Sequence, residues 1–158
     1  LDILVNNAGA YTYEPFEKNT PEVINRILNL NLRAVALLSN QLLPLLKKGT
    51  HPQVVNISSA SATDRTYGEA IYAATKAGVS ALSNVLRKEL SAEGIRITAI
   101  QPWGVDTYEP SQADNCLPPA EIGRVISFIV SSPPTTQIDI IELSHINQWR
   151  GGKPPWVE

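Results

Sequence analysis

The stretch GEAIYAATKAGVSALSNVLRKELSAEGIRITAI, residues 68–100, joins a long amphipathic segment to a short apolar one. Its apolar positions recur at helical spacing and predict a helix from about Ala70 to Glu93, with Gly94 as the residue that ends it. The following letters IRITAI predict a strand. A helix that leads into a strand is half of a parallel β-α-β unit, so this stretch sets the fold class.

The same alternation continues towards the N-terminus. LDILVNNAG predicts a buried strand and a polar, glycine-containing turn. Residues 19–49 predict a helix that has Thr20 as N-cap and Pro21 at its first position and stops near Gly49. Pro44 is expected to kink that helix or to end it early.

QVVNISS predicts the next strand, PPAEIGRVISFIVSS a helix and QIDIIEL a last strand. Strands and helices that alternate in this way build a parallel sheet covered by helices, which is an α/β fold. The tail SHINQWRGGKPPWVE, residues 144–158, has glycine and proline where neither element tolerates them, so we predict that it is irregular.

Composition and charge exclude several classes of protein. The net charge is -2 and no basic cluster exceeds Lys47 and Lys48, which argues against nucleic acid or an anionic membrane surface as a partner. No apolar stretch approaches the roughly 20 residues that span a bilayer, and the first residues do not resemble a secretory signal. The single cysteine, Cys116, cannot form an internal disulfide, which fits a reducing cytoplasm.

Two other kinds of enzyme are disfavoured. His51 and His145 have no partner at metal-ligand spacing, so we expect no metal site and place both at the surface. No serine lies in a Gly-x-Ser-x-Gly elbow, which argues against an esterase.

Polar residues follow three of the predicted strands. Loops that leave the carboxyl ends of parallel strands meet at one edge of the sheet, where ligands bind. Residues 6–9, 58–61 and 101–107 form such loops, and the start of the helix that carries Tyr72 lies beside them. We therefore expect the functional site at this edge.

Tyr72 and Lys76 lie four residues apart and so share a helix face. A lysine ammonium beside a phenol favours the phenolate and lowers the tyrosine pKa from about 10. Ser59 follows a strand that ends in the same crevice and could donate to a carbonyl oxygen that Tyr72 protonates. The alternatives stay open: Ser59 can be a turn or capping residue, and Asn31, like its neighbour Asn29, a hydrogen-bonding filler in a helix.

Taken together, NNAG, NLNL, VNISS, YAATK and QPWGVDT resemble the short-chain dehydrogenase/reductase family in order and spacing. The resemblance covers residues 1–143 and implies one Rossmann-like, doubly wound parallel sheet that binds NAD or NADP. It implies that Tyr72 is the general acid/base, that Lys76 lowers its pKa and binds the nicotinamide ribose, and that Ser59 polarises the substrate carbonyl. Asn31 would hold a water in a proton relay. The implied cofactor-binding residues are Asn7, Ala8, Gly9, Tyr72, Lys76, Pro102, Val105 and Thr107.

The sequence departs from the family pattern in two places. Trp103 stands where the family usually has glycine, although Gly104 follows at once. None of the nine glycines has the spacing of the family's Thr-Gly-x-x-x-Gly-x-Gly turn, and no glycine precedes Gly9. The sequence therefore resembles the C-terminal two-thirds of such an enzyme, with the N-terminal strands and the residue that selects NAD or NADP missing.

The resemblance implies an oxidoreductase that moves a hydride between a nicotinamide cofactor and a carbonyl or secondary alcohol. A non-catalytic nucleotide-binding or scaffold protein on the same fold is the alternative, and the isolated chain could also be inactive. We expect this chain to bind cofactor weakly and to associate through an unpaired edge strand. Family members commonly pair through the helices that carry Asn31 and Tyr72, which implies a homodimer or homotetramer. Residues 106–117 are the expected specificity loop.

Overall fold

The computed structural model describes residues 1–64, 66–107 and 109–149. Within them, four parallel strands form one sheet in the order β1-β2-β3-β4. In register, Val5 lies beside Val55, Val55 beside Thr98, and Ile100 beside Ile141. The strands are β1 (Ile3–Asn6), β2 (Gln53–Ile57), β3 (Arg96–Pro102) and β4 (Ile140–Leu143).

Helices connect each strand to the next. Between β1 and β2, α1 (Pro21–Leu28) and α2 (Ala34–Leu46) are joined by a π-helical turn, Asn29–Arg33. The β2–β3 connection is α3 (Ala70–Leu90), and the β3–β4 connection is α4 (Pro119–Ser131). Short 3-10 turns lie at Phe16–Lys18, Ala60–Ala62, Ser91–Glu93 and Ile146–Trp149.

The sheet buries apolar side chains on both faces. On one face, Val54 and Ile97 pack in a cluster with Leu46 of α2 and Leu90 of α3. On the other, Val55 and Ile100 pack with Ile129 of α4. Alternate residues of a strand point to opposite faces, so the nearly continuous apolar letters of β2 and β3 supply both clusters. The doubly wound α/β fold expected from the sequence is confirmed.

The predicted helix ends are also confirmed. The backbone N–H of Val23 donates to Thr20 Oγ1 at 3.4 Å, which satisfies one free donor of the first turn. Gly94 adopts φ 70°, a left-handed conformation that glycine reaches without a steric penalty. The chain can therefore turn into β3 right after the 3-10 turn Ser91–Glu93 that follows α3.

The expectation that Pro44 would end its helix early is wrong. Helix α2 runs through Pro44 to Leu46. Pro44 cannot donate to the carbonyl of Asn40, but both residues are exposed, so water can satisfy that oxygen. The helical hydrogen-bond pattern changes instead at the π-helical turn around Asn31.

The expectation that the first strand is buried is wrong for one of its faces. Ile3 is 43% exposed and Val5 37% exposed, whereas Asn6 on the opposite face is buried. In the described chain β1 is an edge strand, and the α4 cluster that covers the same face of β2 and β3 does not include Ile3 or Val5.

The last strand begins later than predicted because Gln137 serves as a side-chain bridge. Its Nε2 donates to the backbone oxygen of Ile97 at 2.8 Å. In the tail, Ile146–Trp149 form a single 3-10 turn, and the prediction for residues 150–158 lies outside the described residues. The division into one domain over residues 1–143 and a tail stays a prediction.

Candidate active site

A cavity of about 270 Å³ lies at the carboxyl edge of the sheet. The loops after β1, β2 and β3 and the first turns of α3 form its walls, as expected for parallel strands. Several predicted site residues line it together: Asn7, Gly9, Ser59, Tyr72, Lys76, Pro102, Val105 and Thr107.

Two predicted site residues do not line this cavity. Ala8 is exposed at the turn after β1. Asn31 is buried behind the wall, where its Oδ1 accepts from the Ala10 backbone N–H and its Nδ2 donates to the Ala10 oxygen, both at 2.8 Å. Nδ2 also donates to Thr75 Oγ1 at 3.3 Å. Asn31 thus ties the loop after β1 to the helical layer; its relay role stays a prediction.

Lys76 is 5% exposed, and its ammonium lies 5.6 Å from the centroid of the Tyr72 ring. Nζ donates to the backbone oxygen of Ile57 at 2.9 Å, which fixes the ammonium at the end of β2. Burial lowers the pKa of Lys76 to about 8 because the charged form loses its hydration. The face shared by Tyr72 and Lys76 therefore holds a cation beside the tyrosine ring.

Ser59 caps a turn and also lines the cavity, while its role towards a substrate carbonyl stays a prediction. Its Oγ accepts from the Ser61 backbone N–H at 3.1 Å and so caps the 3-10 turn Ala60–Ala62. The same residue lines the cavity with Tyr72 and Lys76. The cap fixes the position of Ser59 at the cavity wall.

Hydrogen bonds between uncharged groups connect the elements that carry Ser59 and Lys76. Ser58 Oγ donates to the Lys76 backbone oxygen at 2.9 Å and lies 2.8 Å from Ser80 Oγ. Gln101 Nε2 donates to Ser80 Oγ at 3.0 Å. The contacts join the end of β2 to α3 and α3 to β3, and Ser58 itself lines the cavity. The three elements that carry the site are therefore fixed to one another.

The loop after β3 forms another wall. Trp103 lines the cavity, and its Nε1 donates to Glu142 Oε1 at 2.8 Å. Val105 and Leu117 pair as an isolated parallel bridge, and the Asp106 carboxylate accepts from the Gln112 backbone N–H at 2.8 Å. The bulky side chain that departs from the family pattern is accommodated beside β4, and the ends of the loop are anchored.

Tyr11 and Glu69 also line the cavity, and the sequence analysis did not select them. Tyr11 Oη donates to Glu69 Oε1 at 2.6 Å. Its ring meets the Tyr72 ring edge to face, with centroids 4.8 Å apart. The sequence offered one signal, which is that Glu69 lies three residues before Tyr72. This signal does not select Glu69, because acidic residues are common at the start of a helix.

A second and more apolar cavity, of about 520 Å³, lies on the α4 side. Ile122 and Ile126 of α4 line it, together with Val5 and Ile57. The two cavities share four of the predicted cofactor-binding residues, which are Asn7, Pro102, Val105 and Thr107.

Neither histidine lies in the cavity lining. His51 is exposed, and His145 Nδ1 accepts from the Asn147 backbone N–H at 3.2 Å. Across residues 1–64, 66–107 and 109–149, no three His, Cys, Asp or Glu side chains are grouped closely enough to hold a metal ion. Within these ranges, no helix has the length and apolarity that crossing a membrane needs.

A parallel sheet that brings a serine, a tyrosine and a buried lysine into one cavity at its carboxyl edge has the ligand-binding geometry of an open α/β fold. A family model described as short chain dehydrogenase matches residues 1–114, and the chain belongs to this family.

The chain is similar to curated relatives that are named uncharacterized oxidoreductases. It is 27% identical over 146 residues to one from Staphylococcus aureus, covering 89% of this chain and 63% of the relative. A relative from Staphylococcus saprophyticus is 28% identical over 137 residues, covering 84% of this chain and 58% of the relative. The chain thus spans about three-fifths of the length of these relatives.

Solved structures share the fold. Serine dehydrogenase from Escherichia coli superposes with a TM-score of 0.84 at 27% identity, covering 94% of this chain and 65% of that one. The 3-ketoacyl-(acyl-carrier-protein) reductase from Brucella melitensis, solved with NADH, superposes with a TM-score of 0.80 at 26% identity, covering 90% and 65%.

Proposed function

We propose that this chain is the catalytic part of an NAD- or NADP-dependent oxidoreductase that interconverts a carbonyl compound and a secondary alcohol. The observation that carries the proposal is the grouping of Ser59, Tyr72 and the buried Lys76 in one cavity. A module that only bound nucleotide would have little need for a proton donor next to a buried ammonium.

The cavity walls fit a nicotinamide cofactor. A Cβ at Gly9 would lie 3.4 Å from Asn31 Oδ1 and 3.6 Å from Lys76 Nζ, so a side chain there would fill space next to the ammonium. We assign Asn7, Ala8 and Gly9 to the cofactor, and across the cavity Pro102, Val105 and Thr107. The cofactor would supply the hydride acceptor or donor.

Tyr72 would move the hydroxyl proton. In the reductive direction its phenol donates a proton to the carbonyl oxygen, and in the oxidative direction its phenolate takes the proton back. The Lys76 ammonium favours the phenolate through its positive charge. Lys76 would also bind the ribose hydroxyls of the cofactor, and Asn31 would hold a water that connects Lys76 to solvent.

Ser59 would orient the substrate. Its hydroxyl can donate to the carbonyl oxygen that Tyr72 protonates, because both residues line the same cavity. Residues 106–117 would select the substrate, a small carbonyl or alcohol compound, since the loop that they form starts at the cavity wall.

The proposal includes a homodimer or homotetramer. Leu37 and Leu38 of α2 are 39% and 45% exposed, and Val85 of α3 is 51% exposed. A second copy of this chain that packs on these helices would remove their apolar surface from water. We place the protein in the cytoplasm, because a free cysteine, Cys116, fits a reducing compartment.

The test is turnover of NADH and NADPH against a panel of ketones, aldehydes and alcohols, in the intact protein that contains this chain and in its Tyr72→Phe variant. Loss of the phenol is expected to lower kcat by about a hundredfold or more, because general acid/base catalysis is worth that much. The affinity for the cofactor should change little, since the ring stays. Tyr67→Phe is the matched control because Tyr67 is 77% exposed. Cofactor binding without turnover on any substrate would contradict the proposal and favour a binding module.

A further inference from the structure

The chain segment after β1 holds the start of α3. The Glu14 backbone N–H donates to the Gly68 oxygen at 2.9 Å. Gly68 has φ 83°, and a Cβ there would lie only 3.1 Å from the Tyr13 ring. The left-handed conformation and the close ring both require glycine at this position. The residues directly before Tyr72 are therefore fixed by a loop from another part of the chain.

Glu69 is an unusual residue at this place. It is 4% exposed, and its Oε2 is buried with no hydrogen-bond partner among the described residues. A buried carboxylate costs free energy unless its oxygens are paired, and here Tyr11 Oη satisfies Oε1 alone, at 2.6 Å. Glu69 occupies the N-cap position of α3 but its side chain makes no capping hydrogen bond. A capping hydrogen bond therefore does not explain why the carboxylate is buried here, although its charge lies at the favourable end of the helix dipole.

Tyr11 connects Glu69 to Tyr72. The Tyr11 and Tyr72 rings meet at 83° with centroids 4.8 Å apart, the edge-to-face geometry that aromatic pairs prefer. The Ala73 backbone N–H donates to the Glu69 oxygen at 2.7 Å, which fixes the helical turn between the two residues. The Glu69 side chain thus binds Tyr11, the Tyr11 ring packs on Tyr72, and the helix backbone connects Tyr72 to Glu69. Each contact restricts the movement of the residues that it joins.

We propose that Tyr11 and Glu69 are positioning residues that hold the Tyr72 ring and set the pH range in which Tyr72 exchanges its proton. The inference deepens the proposed function and rests on it, since it assigns a role towards the same acid/base group. The described titratable residues that share the cavity with Tyr72 are Tyr11, Asp64, Glu69 and Lys76.

Three charged side chains share the cavity with Tyr72, and the carboxylates of Asp64 and Glu69 act in the direction opposite to the Lys76 ammonium. The Lys76 ammonium favours the phenolate, and a carboxylate at Glu69 favours the neutral phenol. The charge of Glu69 therefore offsets part of the effect of Lys76, and the pH range in which Tyr72 exchanges its proton moves upwards.

The first test measures the pKa of Tyr72 directly and needs neither cofactor nor substrate. Tyrosine labelled with 13C at Cζ reports phenol and phenolate by NMR, and the resonance missing in Tyr72→Phe assigns the signal. Glu69→Gln keeps an acceptor for Tyr11 but removes the charge, so the pKa of Tyr72 is expected to fall by about 0.5 to 1. Tyr67→Phe should leave it unchanged. An unchanged pKa in Glu69→Gln overturns the proposal.

The second test is kinetic. Tyr11→Leu removes the ring contact and is expected to lower kcat about tenfold with KM changed less than twofold, because a misplaced acid costs rate more than binding. Tyr11→Phe restores the ring without the hydroxyl and should recover part of the loss. An unchanged kcat in Tyr11→Leu overturns the positioning role. If the protein turns over no substrate at all, the proposed function fails, while the NMR titration still decides whether Glu69 sets the pKa of Tyr72.

Discussion

Lys76 is a cation held where water has little access. It is 5% exposed and makes one hydrogen bond to the Ile57 backbone oxygen. Burial lowers its pKa to about 8, below the ordinary value of 10.5. Keeping this charge buried at neutral pH therefore lowers the free energy of unfolding. Such destabilising charges are more common at functional sites than elsewhere in a protein.

This cost predicts a pH dependence of stability. Between about pH 8 and 10.5 the unfolded chain still binds the proton that the folded chain has released, so stability rises with pH in this window. Lys76→Met removes the titration and keeps the stem volume. Relative to Lys76→Met, the protein that keeps Lys76 should gain about 1 to 3 kcal/mol in free energy of unfolding across the window.

Urea unfolding at several pH values measures the difference between the two proteins. Both proteins carry Tyr72→Phe in this measurement, because Lys76 also shifts the titration of Tyr72, and the titrations of the remaining ionisable groups then largely cancel. A difference that stays constant from pH 7 to the ordinary pKa of lysine, about 10.4, would show that the ammonium is hydrated in the folded chain.

Among single residues, the sequence predicted that Tyr72, Lys76 and Ser59 lie together, but it did not predict the neighbouring Tyr11 and Glu69. Tyr72 and Lys76 could be paired because helical spacing alone places them on one face. Ser59 required only the rule that parallel strands end at one edge. Tyr11 and Glu69 are 58 positions apart, and their contact depends on how the loop after β1 folds back onto α3. No local pattern contains that information.

Among the elements, the π-helical turn Asn29–Arg33 has the most direct bearing on the site. The turn places Asn31 against Ala10, and its side-chain amide pairs with the backbone N–H and C=O of Ala10. Gly78 of α3 allows this turn to come close, since a Cβ there would lie 2.9 Å from Leu32 Cδ2. The turn therefore links the loop after β1 to α3.

Asn31→Ala is expected to destabilise the protein by about 1 to 3 kcal/mol, because it leaves the N–H and C=O of Ala10 without partners. Asn29→Ala is the control: Asn29 is exposed, and its loss should cost no more than about 0.5 kcal/mol. Denaturant unfolding followed by circular dichroism measures both. Equal losses in the two variants would contradict the role given to Asn31.

The sequence could not separate these two asparagines, because both are poor helix formers in the same helical segment. Nor could it locate the change in helical pattern. Pro44 was the obvious candidate, yet its ring faces solvent at a position where the helix tolerates it. The change occurs at Asn31 because tertiary hydrogen bonds to Ala10 outweigh local propensity.

On the scale of the whole chain, the described sheet has two edge strands, β1 and β4, and β1 exposes apolar side chains on one face. Ile3 and Val5 on the uncovered face of β1 are 43% and 37% exposed. An edge with apolar side chains and free backbone groups favours pairing with another chain. We therefore expect the chain to form assemblies larger than the proposed homodimer or homotetramer.

Ile3→Lys should reduce these larger assemblies, since a lysine on an edge strand opposes pairing. Phe128→Lys makes the same kind of change on α4, where the side chain is 62% exposed, and should leave the assemblies intact. Light scattering during gel filtration measures both masses. An equal effect of the two substitutions would show that the association depends on exposed apolar side chains in general. A wild-type chain that is monomeric at every concentration would refute the expected association.

The Val105–Leu117 bridge has a consequence for how such an enzyme could be redesigned. The bridge closes residues 106–116 into a loop whose two ends meet next to β3, so the interior can change in length or composition while its attachment points stay in place. Tyr72 and Lys76 lie on a different element and would not move. The loop is therefore a replaceable cassette: under the proposed function, we expect a segment transplanted from a relative to change substrate preference and to leave the proton transfer by Tyr72 intact.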